Sequence, residues 1–117
     1  MSYDLGFWKY KDGKYADNQK VYEILSNEEY IDGLEELPIE DILTEIANVF
    51  GTWDKDSKYD FDSEYSGSFH IMTTSQFVRV DCYGMQEEDM NNFIDIMLEY
   101  DCPLYDPQVP QRYDMED

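Results

Sequence analysis

FHIMTTSQFVRVDCYGMQEEDMNNFIDIMLEY, residues 69–100, is the stretch that decides the fold. Near Gly84 the spacing of its hydrophobic residues changes from a period of two residues to one of 3.6 residues. From Gln76 to Tyr83, apolar and polar residues alternate, which is the pattern of a half-buried strand. The preceding segment from Phe69 to Thr73 alternates in the same way, and only a short connection separates the two. The sequence therefore predicts an antiparallel hairpin here.

After Gly84 the apolar residues recur at the i, i+3, i+4, i+7, i+8 spacing of an amphipathic helix. The stripe consists of Met90, Phe93, Ile94, Met97 and Leu98. Acidic residues precede the stripe, in the first turn of the predicted helix, where the helix dipole favours negative charge. Because the hairpin and the helix each have one apolar face, we expect them to pack together.

The rest of the chain supplies the remaining elements of the predicted fold. Alternation over Tyr3–Lys11 predicts a first strand, and the apolar stripe of Pro38–Phe50 predicts a helix. Between them we expect a short helix capped by Asp17 or Asn18, and then a second helical turn reaching Leu34.

The order of these elements indicates the fold class. The two prolines of Cys102–Gln108 limit that segment to a sheet edge or to a position outside the sheet. The order strand, helix, strand, strand, helix, possible strand matches the split β-α-β arrangement. We predict an α+β fold in which an antiparallel sheet of about four strands carries its helices on one face. Residues 1–117 are expected to form a single domain, with residues 109–117 as a flexible tail.

Composition limits the location and partners of the protein. There is no apolar run near 18 residues and no charged-then-apolar leader, so we expect a cytoplasmic protein without a membrane span. Cys82 and Cys102 are expected to be reduced. The chain has 28 Asp and Glu against 8 Lys and Arg, a net charge of −20. Such a charge makes contact with nucleic acid or an anionic membrane unfavourable, and it favours a basic protein partner.

Acidic and aromatic residues interleave in Asp54–Gly67, which is predicted to be a loop that could include an extra edge strand near Tyr59 to Tyr65. Carboxylates match the cationic groups of a basic partner, and Tyr and Trp supply rigid contact area. The acidic residues at the start of the helix predicted after Gly84 extend this candidate surface. The predicted partner-binding residues are Trp53, Asp54, Asp56, Tyr59, Asp60, Asp62, Glu64, Tyr65, Glu87, Glu88 and Asp89.

Two alternatives stay open for the acidic residues. A second acidic patch, running from Glu28 to Asp41, is another candidate interface, and each patch could equally be an ordinary solvated surface.

The residues needed for catalysis are sparse in this chain. His70 is the sole histidine, so no serine or cysteine has a histidine pair to activate it. The glycines are scattered singly and form no phosphate loop, and two Cys with one His do not form a zinc set. Calcium loops starting at Asp54 or Asp60 fail, because Tyr59 and Tyr65 stand where glycine is required. We predict no catalytic residue, no metal and no cofactor.

Both ends of the chain resemble a known class of protein. Residues 2–9, SYDLGFWK, and residues 104–108, LYDPQ, look like segments of small bacterial proteins encoded beside polymorphic toxins. These are immunity proteins, including those of contact-dependent inhibition systems. The resemblance implies an acidic cytoplasmic protein that neutralises a nuclease toxin by covering its active site. It supplies no inhibitory motif, so the binding residues above depend on the charge argument alone.

The function expected from the sequence is therefore that of an immunity protein, not an enzyme, which binds one basic toxin domain in a 1:1 complex. Two alternatives are an acidic nucleic-acid mimic that inhibits a DNA-binding enzyme and a metal-dependent hydrolase.

Overall fold

The computed structural model describes residues 2–113. Within this range the chain forms three helices and one seven-stranded sheet, and no helix has the length and apolar character needed to cross a membrane. In chain order the elements are β1 (Ser2–Phe7), α1 (Asn18–Ser26), α2 (Ile39–Val49), β2 (Asp54–Lys55), β3 (Asp60–Ser63), β4 (Gly67–Thr74), β5 (Phe77–Tyr83), α3 (Glu87–Leu98), β6 (Leu104–Asp106) and β7 (Gln111–Arg112).

The strands lie in the order β2-β3-β4-β5-β1-β6-β7, and each neighbouring pair is antiparallel. The central strands β4, β5, β1 and β6 have the order of a split β-α-β sheet, with α2 between β1 and β4 in the chain and α3 between β5 and β6. The predicted α+β class and the β4–β5 hairpin are confirmed.

The predicted number of about four strands is too low. The sheet in residues 2–113 gains β2 and β3 beyond β4, and β7 beyond β6. Two of these strands contain only two residues, and β3 contains four. β3 lies where the sequence allowed an extra edge strand, near Tyr59 to Tyr65. The two-residue strands β2 and β7 give little periodic signal, because alternation needs several residues to be recognised.

The main hydrophobic core lies between the sheet and the helices α2 and α3. Leu5 of β1 pairs with Val80 of β5, and both side chains are at most 2% exposed. Phe50, which ends α2, stacks on Phe93 of α3 with ring centroids 4.9 Å apart. Fully burying one such aromatic side chain contributes roughly 1.5–3 kcal/mol. The strand–helix interface predicted from residues 69–100 is therefore the centre of this core.

A second buried cluster lies on the opposite face of the sheet, beneath α1. Its fully buried aromatic residues are Trp8, Phe77 and Tyr105, and Tyr22 of α1 packs against the last two. A Cβ at Gly6 would stand 3.1 Å from the Tyr22 ring, so glycine permits this close approach. The expectation that all helices lie on one face is wrong, because β1 and β5 carry large apolar side chains on both faces.

The segment between α1 and α2 is a series of turns and not the predicted second helical turn. It is fixed by Gln76, which is 1% exposed and lies in the β4–β5 turn. The Gln76 side chain accepts a hydrogen bond from the Ile31 amide at 2.9 Å and donates to the carbonyls of Ile31 and Leu34 at 2.7 and 3.2 Å. A buried side-chain amide thus replaces the helical hydrogen bonds that this segment lacks.

The C-terminal segment also differs from the prediction. Strand β6 is not at the sheet edge, since β1 and β7 flank it, and its prolines Pro103 and Pro107 stand just outside it. Residues 111–112 of the predicted tail form β7, and residues 114–117 lie outside the described part of the chain.

Candidate functional site

The predicted acidic loop is mostly a pair of short strands with an exposed surface. Its exposed members are Asp54, Asp56, Asp62, Glu64 and Tyr65, the last with 88% of its surface accessible. By contrast, Trp53 is half-buried, and its ring packs against Phe50 and Phe69 with centroids 5.1 and 5.5 Å apart. Trp53 therefore contributes to the main core, and a role for it in binding a partner stays a prediction.

Asp60 forms the best-defined polar contact of this region. Its Oδ1 lies 2.6 Å from Nδ1 of His70 on β4, and its Oδ2 accepts a hydrogen bond from Ser57 Oγ at 3.0 Å. The pKa of Asp60 is lowered, first by the hydrogen bond with His70 and then by that with Ser57. The carboxylate is held ionised and oriented at the surface, with about half of the side chain exposed.

The register of the sheet brings Asp60 into a row with two aspartates far away in the sequence. Asp60 pairs with His70, His70 pairs with Asp81 of β5, and Asp81 pairs with Asp4 of β1. Directly paired residues in a sheet project their side chains from the same face. Four strands therefore contribute to one polar row on the face opposite α2 and α3.

A second row runs beside the first. Asp54 pairs with Asp62, which pairs with Ser68, and Ser68 pairs with Tyr83. Asp62 is exposed and Tyr83 is 45% exposed. We call the charged and aromatic side chains of the two rows, together with the neighbouring Arg79 of β5, the acidic face. Its residues are Asp4, Asp54, Asp60, Asp62, His70, Arg79, Asp81 and Tyr83.

Arg79 neutralises only part of the charge on the acidic face. Its Nε and Nη2 donate to the two carboxylate oxygens of Asp81 at 2.9 and 3.1 Å, a forked ion pair with Asp81 only 9% exposed. The pKa of Asp4 is raised, first by burial and then by repulsion from Asp81. In the described part of the chain, Asp54 and Asp62 form no ion pair. The face therefore keeps a net negative charge.

Tyr22 marks the border between the acidic face and the cluster under α1. Its pKa is raised to about 12, first by burial and then by the nearby charge of Asp4. Its ring packs against Phe77 and Tyr105 of the cluster, while its hydroxyl is close enough to Asp4 for the carboxylate to affect it.

The predicted acidic residues at the start of α3 do not lie on the acidic face. Glu87, Glu88 and Asp89 are in the first turn of α3, as expected. However, Glu87 lines a cavity together with Leu5, whose side chain lies on the α2–α3 side of the sheet. The structure therefore separates these three residues from the acidic face.

The sequence prediction did not include five members of the acidic face: Asp4, His70, Arg79, Asp81 and Tyr83. The signal was present, because the polar positions of an alternating strand must share the face opposite its apolar ones. What the sequence lacked was the pairing of β1 with β5, which joins Asp4 to Asp81.

The described residues contain no group of three or more His, Cys, Asp or Glu side chains arranged to hold a metal ion. Cys82 and Cys102 are free and buried, and burial raises the pKa of each thiol to about 12.

Comparison with known proteins finds no family model that matches the chain, and no curated protein or solved structure that is significantly similar to it.

Proposed function

We propose that this protein is a cytoplasmic immunity protein, without catalytic activity, that binds a basic toxin domain and neutralises it by covering its surface. The toxin domain is a nuclease, whose cationic surface would otherwise bind the phosphates of a nucleic acid. The observation that carries the proposal is the acidic face, where five aspartates from β1, β2, β3 and β5 meet, among its described residues, only Arg79 and His70 as basic groups.

The shape of this surface supports binding to a folded protein. A sheet face is broad, and its side chains are held in fixed register by the strands beneath them. Asp60 and Asp81 are further oriented by His70 and Arg79. Such preorganisation lowers the entropy lost on binding, while the negative charge accelerates association with a basic surface.

The resemblance to immunity proteins also supports the proposal. The two similar segments, residues 2–9 and 104–108, are distant in the chain but adjacent in the sheet, because Gly6 pairs with Tyr105 and Phe7 with Leu104. The resemblance therefore concerns one connected part of the scaffold, and it includes Asp4 of the acidic face.

The test is calorimetric titration of the protein with the toxin domain encoded by the neighbouring upstream gene. We expect a 1:1 complex that weakens as salt concentration rises, because screening reduces the attraction between exposed charges. The double variant Asp54→Lys with Asp62→Lys changes two exposed acids of the face, and its dissociation constant should rise by about tenfold or more.

The matched control is Glu29→Lys with Asp32→Lys, which makes the same change in net charge at two exposed positions of the second acidic patch, the alternative candidate interface. Its dissociation constant should stay within about threefold of the wild-type value. Absence of binding by the wild-type protein would overturn the immunity function. Equal losses in the two double variants would show that the acidic face is not the interface.

A further inference from the structure

A groove separates α3 from the strands β1 and β6 on the α2–α3 side of the sheet. It consists of two adjoining cavities of about 310 and 270 Å³, which share Ile94, Leu104 and Asp106. Small-molecule and side-chain pockets in proteins begin at about this size. We call this region the α3 groove; its apolar walls are formed by Leu5, Met90, Ile94, Leu98 and Leu104.

One carboxylate, that of Asp106, lies in this apolar groove. Asp106 is 5% exposed, and it accepts hydrogen bonds from the Tyr3 hydroxyl, the Gln108 side-chain amide and, at 2.9 Å, the Gln108 backbone N–H. All three donors are uncharged. Within residues 2–113, no ion pair involves Asp106.

The hydrogen bonds hold Asp106 in place and stabilise its carboxylate, but they supply no positive charge. A buried carboxylate is stabilised further when a cation pairs with it in good geometry. Donation to Asp106 is the main reason that the pKa of Tyr3 is raised to about 12, so the tyrosine stays a neutral donor. Glu87 adds a second negative group at the lining, and neither cavity has a lysine or arginine among its described lining residues.

We propose that the α3 groove is a pocket for one lysine or arginine side chain of the basic protein partner, an inference that rests on the proposed function. The aliphatic stem of the side chain would lie along Ile94, Leu98 and Leu104. Its cationic head would reach Asp106 and Glu87. Lysine and arginine combine these two properties, an apolar stem and a charged end, in the order that the groove presents them.

This assignment gives the acids of α3 a specific task. Glu87 belongs to the acidic turn predicted as part of the interface, although it lies away from the acidic face. The two regions meet at the start of β4, where Gly67 lies against the backbone of Tyr83 and Gly84, shortly before α3 begins. A partner covering this end of the sheet would contact both surfaces, and the half-open groove would receive an anchor side chain of the kind that dominates interface energies.

The first arm of the test uses the toxin domain and a variant that fills the groove. Asn91→Trp places a bulky ring at an exposed lining position without changing the charge, and Asn48→Trp makes the same substitution at an exposed position near the end of α2. We expect Asn91→Trp to weaken binding by about tenfold or more and Asn48→Trp by less than about twofold. Thermal unfolding of both variants establishes that they are folded.

The second arm measures the binding of small probes. Binding is monitored through the amide chemical shifts of Tyr3, Ile94 and Leu104 at constant ionic strength. Pentylammonium has both the stem and the charge, pentanol has only the stem, and methylammonium has only the charge. We expect pentylammonium to bind at least about fivefold more tightly than either of the others, and Asp106→Asn to remove its advantage over pentanol. Asn91→Trp should abolish the shifts caused by pentylammonium.

The two arms separate the possible failures. The toxin domain could bind the wild-type protein, with binding weakened by Asp54→Lys with Asp62→Lys but not by Asn91→Trp. In that case the groove is not an anchor and this inference is wrong. If no toxin binds, the proposed function fails, and the probes alone decide whether the pocket has the proposed chemistry. The proposed pocket would be contradicted if pentylammonium and pentanol bound equally, or if the amide chemical shift changes were spread over the acidic face.

Discussion

Asp4 and Asp81 face each other across β1 and β5, and a single arginine serves both carboxylates. Arg79 is aligned on Asp81 through two hydrogen bonds, while its charge acts on Asp4 only at a distance. Like charges directly opposite one another destabilise a sheet. The raised pKa of Asp4 indicates the same unfavourable interaction, which is retained on the surface that we propose for binding.

Replacement of Asp4 by asparagine should stabilise the folded protein at neutral pH by up to about 1 kcal/mol. Because the pKa of Asp4 is higher in the folded than in the unfolded state, ionisation costs stability as pH rises through that range. The gain from Asp4→Asn should therefore be larger at pH 7 than at pH 3, below the ordinary aspartate pKa of 3.8, as measured by urea unfolding. Asp32→Asn, at an exposed turn, is the matched control and should change the free energy of unfolding by no more than about 0.5 kcal/mol.

Gly67 is the position where a side chain is least tolerable. Its φ is +96°, and a Cβ would stand 2.4 Å from the Tyr83 carbonyl oxygen. Gly67→Ala should cost at least about 2–3 kcal/mol in the free energy of unfolding. Gly13 also has a positive φ, of +75°, but an added Cβ meets nothing within 4 Å, so Gly13→Ala should cost only about 1 kcal/mol. Similar losses in both variants would remove the steric explanation.

At the scale of the elements, length decided what the sequence could predict. The strands β4 and β5 and the helix α3 have enough residues for their periods to be recognised, and all three were predicted. The strands β2 and β7 have two residues each, and their existence depends on a neighbour that pairs with them. A residue's type does not show which strand will lie beside it.

The placement of α1 was missed for a different reason. Trp8 follows Phe7 directly, and both side chains are fully buried on opposite faces of the sheet. The sequence did not show which helix covers which face. The same gap explains why Asp4 and Asp81 were not joined in the predicted site, although each was correctly opposite the apolar positions of its own strand.

Asp17 begins α1, as one of the two predicted caps. Its Oδ1 accepts hydrogen bonds from the amides of Gln19 and Lys20 at 3.0 and 3.2 Å. Asp17→Ala should lower the free energy of unfolding by about 0.5–2 kcal/mol, because two amides lose their acceptor. Asp17→Asn keeps an oxygen in the same position and should retain most of the stability. A loss as large in the asparagine variant would show that the cap is not the cause.

At the scale of the whole molecule, the net charge of −20 opposes compactness. The four ion pairs among residues 2–113 can offset little of it, and two of them lie at exposed Lys9 and Lys58. Two hydrophobic clusters, one on each face of the sheet, hold the chain against this repulsion. The repulsion among the excess acidic side chains destabilises the free protein, and a basic partner would reduce it.

Salt should therefore stabilise the free protein while weakening its complex. Raising sodium chloride from about 20 mM to about 0.5 M shortens the screening length to a few ångström and should raise the melting temperature by about 2–5 °C. Tetramethylammonium chloride at equal ionic strength should act similarly, because screening does not depend on the identity of the cation. A melting temperature that falls with salt would contradict this account.

Gln108 has a consequence for how the sheet ends. Its side-chain amide donates to the Asp4 carbonyl at 3.0 Å and accepts from the Asp4 N–H at 2.7 Å, beyond the point where β6 stops pairing with β1. One glutamine thus imitates a peptide unit of a neighbouring strand. Because both backbone groups of Asp4 are already hydrogen-bonded, another extended chain cannot pair with β1 at this position. The Gln108 side chain blocks strand addition there although β6 itself does not extend that far.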